Sequence, residues 1–99
     1  MAQFDVYPNP DGEGYVVDVQ SNLFDDYGTR VVIPLLPPVI APKPVNHLNP
    51  TFDIGGESFT FHPHFVATVP TRVLGKPCAS LAAHDYTISN AIDMMLKGF

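Results

Sequence analysis

Proline and glycine are spaced so closely along this chain that only short elements fit over most of its length. Eleven prolines and seven glycines interrupt 99 residues, and each proline removes a backbone donor and blocks a helix interior. Six of the prolines fall between Pro34 and Pro50, where fixed φ angles favour an extended connector over a regular element. The exception is the far end, since from Leu81 to Lys97 there is neither proline nor glycine. There Ile88, Ala91, Ile92 and Met95 recur at i, i+3, i+4 and i+7, the stripe of an amphipathic helix. Asp85 near its start and Lys97 near its end suit the helix dipole, and Gly98 follows as a stop.

Upstream, short runs rich in Val, Ile and Phe between turn residues read as strands. Gln3–Tyr7 alternates and ends at Pro8-Asn9-Pro10-Asp11-Gly12, so Tyr15–Gln20 should return beside it as a hairpin. Asn22–Thr29 is polar, and Arg30–Leu35 is a third strand. Thr51–Ile54 and Glu57–Phe61 flank Gly55-Gly56, a tight hairpin signal. Period two puts Phe52 and Ile54 on one face and Phe59 and Phe61 on another. Val66–Leu74 reads as a further strand, interrupted near Pro70. The expectation is a mainly β fold with one C-terminal α-helix, in a single domain over residues 1–99.

Hydrophobic residues make up 45% and charged residues 15% of the chain, too apolar a mixture for disorder. The surplus of apolar surface points to an oligomer interface. The net charge is −5, and the five cations, Arg30, Lys43, Arg72, Lys76 and Lys97, are scattered. An acidic chain with no basic patch is a poor partner for phosphate, so no direct nucleic-acid contact is expected. The single cysteine excludes an intramolecular disulfide and fits a reducing compartment. Met1-Ala2-Gln3-Phe4-Asp5 has neither the basic start nor the apolar core of a signal peptide. Val31–Pro42 is too short for a membrane span and holds four prolines. A cytoplasmic protein that does not enter the membrane is expected.

The polar residues do not assemble into catalytic equipment. His47, His62 and His64 read as ordinary loop histidines, because a metal site needs three or four converging ligands and Cys78 has no CxxC partner. Cys78 reads as a half-buried structural thiol and Asp25-Asp26 as solvated turn residues. No serine sits in a GxSxG context, and no cofactor or metal is expected. Two features resist so plain a reading. Leu23-Phe24 are bulky apolar residues in a polar loop, and Leu96 and Phe99 lie off the Ile88/Ile92 stripe near the chain's end. The loop either packs on the domain or contacts a partner, and the chain's end either docks on its own domain or is presented to a partner.

These segments carry a resemblance to the CcdB family of toxins. Gln3-Phe4-Asp5-Val6-Tyr7 resembles its opening strand. Val17-Asp18-Val19-Gln20-Ser21 with Val32-Ile33-Pro34-Leu35 is its most recognisable block, and Ile54-Gly55-Gly56-Glu57-Ser58 its central hairpin. Val69-Pro70 with Val73-Leu74-Gly75 resembles a later strand, and Asn90-Ala91-Ile92-Asp93 with Gly98-Phe99 the final helix. The resemblance implies an SH3-like small barrel with an additional antiparallel sheet, assembled as a homodimer without enzymatic activity. It implies a toxin that poisons DNA gyrase through its A subunit and traps the cleaved complex. A CcdA-like antitoxin would neutralise it, and the two together would repress their operon. The related MazF toxins share the fold and cut RNA, which is the competing expectation; an inert antitoxin-binding module is a third. The family's target contacts fall on Leu23, Phe24, Asp93, Leu96, Lys97, Gly98 and Phe99. Lys97 stands where the family has a tryptophan that stacks on gyrase arginines, and Asp93 where it has a neutral asparagine.

Overall fold

The run Thr29–Leu36 forms β3, the longest strand, around which the others arrange themselves in the computed structural model, which describes residues 2–98. The remaining strands are β1 (Asp5–Pro8), β2 (Tyr15–Asp18), β4 (Thr51–Ile54), β5 (Glu57–Phe61), β6 (Ala67–Pro70) and β7 (Ala79–Ser80). The helix is α1 (Asp85–Lys97). All pairings are antiparallel, in the order β4-β5-β3-β2-β1-β7 with β6 also on β3. The sheet curls into a nearly closed barrel with the helix at its end.

One edge of β3 pairs with β2 from Val32 to Leu35. The other edge is divided, with β6 on Thr29–Val32 and β5 on Leu35–Leu36. Pro34 sits at the division. A strand residue points its N–H and C=O to the same edge, so the donor that Pro34 lacks would have faced the gap between β5 and β6. Its carbonyl is met there by the His62 N–H at 3.1 Å. Proline is tolerated in the central strand for this reason, and the irregular connector begins at Pro37 rather than at Pro34. Gly14, at φ +85°, closes the β1–β2 turn onto the same strand, where a Cβ would collide with the Leu35 carbonyl.

The four aromatic and aliphatic residues of the β4–β5 hairpin do not divide between faces as their separate alternations suggest. Phe52 lies directly opposite Phe59, and opposed residues of an antiparallel pair share a face. Phe52, Ile54, Phe59 and Phe61 therefore enter one core with Val6, Val17, Ile33 and Leu35. Helix α1 covers that core with Ile88 and Ala91, both fully buried. A smaller cluster of Tyr7, Val16, Val32 and Leu74 occupies the reverse face of the sheet.

Several boundaries move for local reasons. The strand expected over Val66–Leu74 stops at Pro70 and becomes a 3₁₀ turn at Thr71–Val73. The helix starts at Asp85, after a 3₁₀ turn at Ala82–His84. Its end is as expected, with Gly98 at φ 80° donating its N–H to the Met94 carbonyl at 2.8 Å. The two-residue strand β7, too short to show a period, ties the approach to the helix to β1 through Asp5↔Ser80 and Val6↔Ala79.

Candidate functional site

Arg30 and Asp18 are fully buried at the base of the loop that carries Leu23 and Phe24. Arg30 Nε donates to Asp18 Oδ2 at 2.8 Å, and Nη2 lies 2.7 Å from the same oxygen at an angle too bent for a second hydrogen bond. Nη1 donates to Asp25 Oδ1 at 3.1 Å. Burial alone would lower the Arg30 guanidinium, but the two carboxylates overcome it and hold the group above its ordinary range. Burial pushes the Asp18 carboxyl up, against the pull of Arg30 and of the Gln20 N–H.

This ion pair is the footing of a rigid loop. Gln20 accepts from the Val31 N–H at 3.1 Å and donates to the Phe24 carbonyl at 2.8 Å. Ser21 Oγ accepts from the Leu23 N–H at 3.2 Å, and Asn22 Oδ1 from the Gln3 N–H at 2.8 Å. These bonds hold Asn22–Phe24 as a 3₁₀ turn. On it, Leu23 is 88% exposed, Phe24 47% and Tyr27 62%. Phe24 and Tyr27 meet edge to face at 5.6 Å, beside a shallow hollow of about 360 Å³ that includes Val31 and Thr68. A leucine held in water by such a network is presented rather than packed.

The second patch is the end of α1. Asp93, Met94, Lys97 and Gly98 line a groove of about 550 Å³ with His47 and Asn90. Past His47 and Asn90 the groove opens into another of about 560 Å³, bounded by Pro44, Val45 and Tyr86. Leu96 is 67% exposed and stands outside both. Of the residues marked in the sequence, Leu23 and Phe24 are thus together, and Asp93, Lys97 and Gly98 are together. Among the described residues the two sets line separate hollows, and Phe99 lies outside the described residues.

Other expectations need correction. His62 lies in the connection between β5 and the Pro63–Phe65 turn, but it is no ordinary loop histidine. It is fully buried beneath Phe65, with Asn49 Nδ2 3.4 Å from its Nδ1. Burial, and then the neighbouring His64, hold it below the ordinary histidine range, and its Nε2 has no partner among the described residues. Cys78 is exposed rather than half-buried, although its N–H at 2.8 Å and its Sγ at 3.5 Å both donate to the Val6 carbonyl. Asp25 is the exposed turn residue expected, and it is in addition the outer partner of Arg30. Among the described residues no three His, Cys, Asp or Glu side chains converge on a metal-sized site. No helix there is long and apolar enough to cross a membrane. The element that sequence reasoning missed is the Asp18–Arg30–Asp25 footing. Its signal was an arginine and an aspartate at the ends of neighbouring apolar strands, Thr29–Leu36 and Tyr15–Asp18.

Comparison with known proteins bears on this arrangement directly. The family model described as CcdB protein matches residues 3–98. The chain belongs to the CcdB family of toxins. The CcdB fold assigned here is shared by more distant toxins. A mycobacterial endoribonuclease solved with its cognate antitoxin superposes with a TM-score of 0.78 at 14% identity, covering 97% of this chain and 94% of that one. MazE-MazF from Deinococcus radiodurans gives 0.71 at 10% identity, covering 98% and 95%. The Mycobacterium tuberculosis toxin MazF-mt6 gives 0.64 at 16%, covering 93% of each. At these identities the likeness is one of fold.

Proposed function

We propose that this chain is the non-enzymatic toxin of a toxin–antitoxin module, a homodimer that poisons DNA gyrase through its A subunit. In this reading a CcdA-like antitoxin neutralises it and joins it in repressing their operon. The observation that carries the reading is the Leu23–Phe24 loop. It is an apolar display fixed by a buried ion pair and a ring of hydrogen bonds, suited to gripping a protein surface rather than to chemistry. Leu96, Lys97 and Gly98 at the helix end would complete the contact. Two-fold assembly would supply the proximity of the two patches that a single chain lacks.

The endoribonuclease reading has the fold likeness in its favour, since one similar structure is itself an endoribonuclease. It requires exposed cations and an acid/base pair along one groove. Here Arg30 is buried against two carboxylates. Lys43, Arg72, Lys76 and Lys97 sit on four different segments: the proline-rich connector, the Thr71–Val73 turn, the loop before β7, and α1. Expression in bacteria separates the readings. A gyrase poison arrests growth with broken chromosomal DNA and full-length transcripts. Shortened transcripts with intact DNA would establish the ribonuclease instead, and unimpeded growth would leave an inert antitoxin-binding module.

A further inference from the structure

On the face of β1 turned away from α1 lies a hollow of about 610 Å³ that neither patch uses. Asp5 and Tyr7 project into it from β1, Thr71 from the turn after β6, and Leu74 and Pro77 from the segment that follows. Tyr7 is 1% exposed, yet its hydroxyl has no hydrogen-bond partner among the described residues. Thr71 Oγ1 is buried and, among the same residues, unpartnered as well. Buried hydroxyls are rarely left so, because each forfeits its bonds to water without replacement. Two of them on one hollow mark a place where a third group belongs.

We propose that this hollow binds an alkylammonium group, the head of a lysine side chain offered by a partner protein or of a free polyamine. An ammonium carries three donors and no acceptor. Three oxygen acceptors are available: the Tyr7 hydroxyl, Thr71 Oγ1 and the Asp5 carboxylate, which residues i and i+2 of one strand place on the same face. Asp5 is only partly buried and is otherwise engaged by the Ala2 N–H at 3.3 Å. Leu74 and Pro77 offer apolar surface to the methylene stem, as lysine stems commonly find. The electrostatics select the sign. The one buried cation nearby, Arg30, is already taken by Asp18 and Asp25, and among the described residues no cation pairs with Asp5. Arg72 and Lys76 are exposed and do not line the hollow. Burial and the charge of Asp5 push the Tyr7 hydroxyl up, so it stays protonated and neutral. An anion would meet the Asp5 carboxylate and, among the described residues lining the hollow, no cation. The site lies apart from the gyrase-contact patches and does not depend on the proposed target.

The test is an amide NMR titration of the full chain with Nα-acetyl-lysine methylamide, with its Nε-acetylated form, and with putrescine. The expected result is a saturable shift confined to the Thr71–Gly75 and Asp5–Tyr7 amides with the charged lysine probe and none with the acetylated one. Apparent affinity should fall at least about fivefold in Asp5→Asn and in Tyr7→Phe, the loss of roughly one hydrogen bond to a charged donor. Equal binding of putrescine assigns the site to free polyamines; binding of the lysine probe alone assigns it to a protein partner. The melting temperature of Tyr7→Phe should be unchanged or higher, since an unsatisfied hydroxyl is removed. Absence of a saturable shift, equal binding by the acetylated probe, or a melting temperature of Tyr7→Phe lowered by several degrees overturns the proposal.

Discussion

Replacing Arg30 by methionine should be among the most damaging single changes this fold can suffer. The variant keeps the side-chain volume but strands Asp18, which is fully buried and would retain only the Gln20 N–H at 3.0 Å. Removing one member of a buried ion pair costs about 3–5 kcal/mol. Against a total of about 5–15 kcal/mol for a domain of this kind, that is a large share. At a urea slope of about 1–3 kcal/mol/M the midpoint should fall by roughly 2 M. Asp25, whose side chain is 45% exposed, should matter far less to stability. Asp25→Asn should cost about 1 kcal/mol or less, while loosening the Leu23 loop. The double variant Arg30→Met/Asp18→Leu removes both charges and should recover most of the loss. The pH dependence has a definite sign. Without its cation, Asp18 has a folded pKa well above its unfolded value, so the folded state binds the extra proton in that window. Stability of Arg30→Met relative to wild type should therefore be greater near pH 5 than at pH 8. Urea melts at one fixed protomer concentration measure all of this. A loss below about 1 kcal/mol in the single variant, or no recovery in the double, would refute the reasoning.

Three further outcomes follow from other parts of the molecule. Gly14→Ala combines a left-handed backbone, φ +85°, with a collision against the Leu35 carbonyl, and should cost about 2–4 kcal/mol in urea melts. Gly55→Ala, equally left-handed at φ +61° but in open space, should cost about 1–2 kcal/mol. His62 is held below its ordinary value of 6.5 by burial and by His64, so the unfolded chain takes up its proton first. The stability it contributes is complete above about pH 6.5 and is lost as pH falls from there toward the depressed folded value, a loss that His62→Leu should abolish in melts taken across that range. If the proposed gyrase contact holds, Lys97→Trp should strengthen binding to an enterobacterial-type gyrase by at least about a hundredfold in a calorimetric titration, since two indoles would replace two ammonium groups at that contact.

The parts of the fold that could be read from sequence are those governed by a period or by a turn residue. The Gly55-Gly56 hairpin falls on Thr51–Ile54 and Glu57–Phe61 as expected, and Gly98 caps the helix. What escaped depends on pairing across the chain. Pro34 belongs to a central strand because β5 and β6 leave a gap beside it, a fact of topology that no local window contains. His62 is buried because its N–H meets the Pro34 carbonyl across that gap. The exposure of Leu23 follows from hydrogen bonds reaching back to Gln3 and Val31. Sequence alone marked Leu23 and Phe24 as unusual and family resemblance gave them a role; neither revealed the Arg30–Asp18 footing that holds them out.

The most direct measurement of the central claim is a cleavage-trapping assay with purified bacterial DNA gyrase, supercoiled plasmid and ATP. The wild-type chain should convert plasmid to linear DNA on denaturation of the enzyme. Leu23→Asp, a change at a residue 88% exposed that leaves the urea midpoint untouched, should produce little or none. The same preparation should leave RNA intact. Linear DNA formed equally well by Leu23→Asp would remove the loop from the contact, and RNA cut by the wild type while plasmid stays closed would contradict the assignment of a gyrase poison.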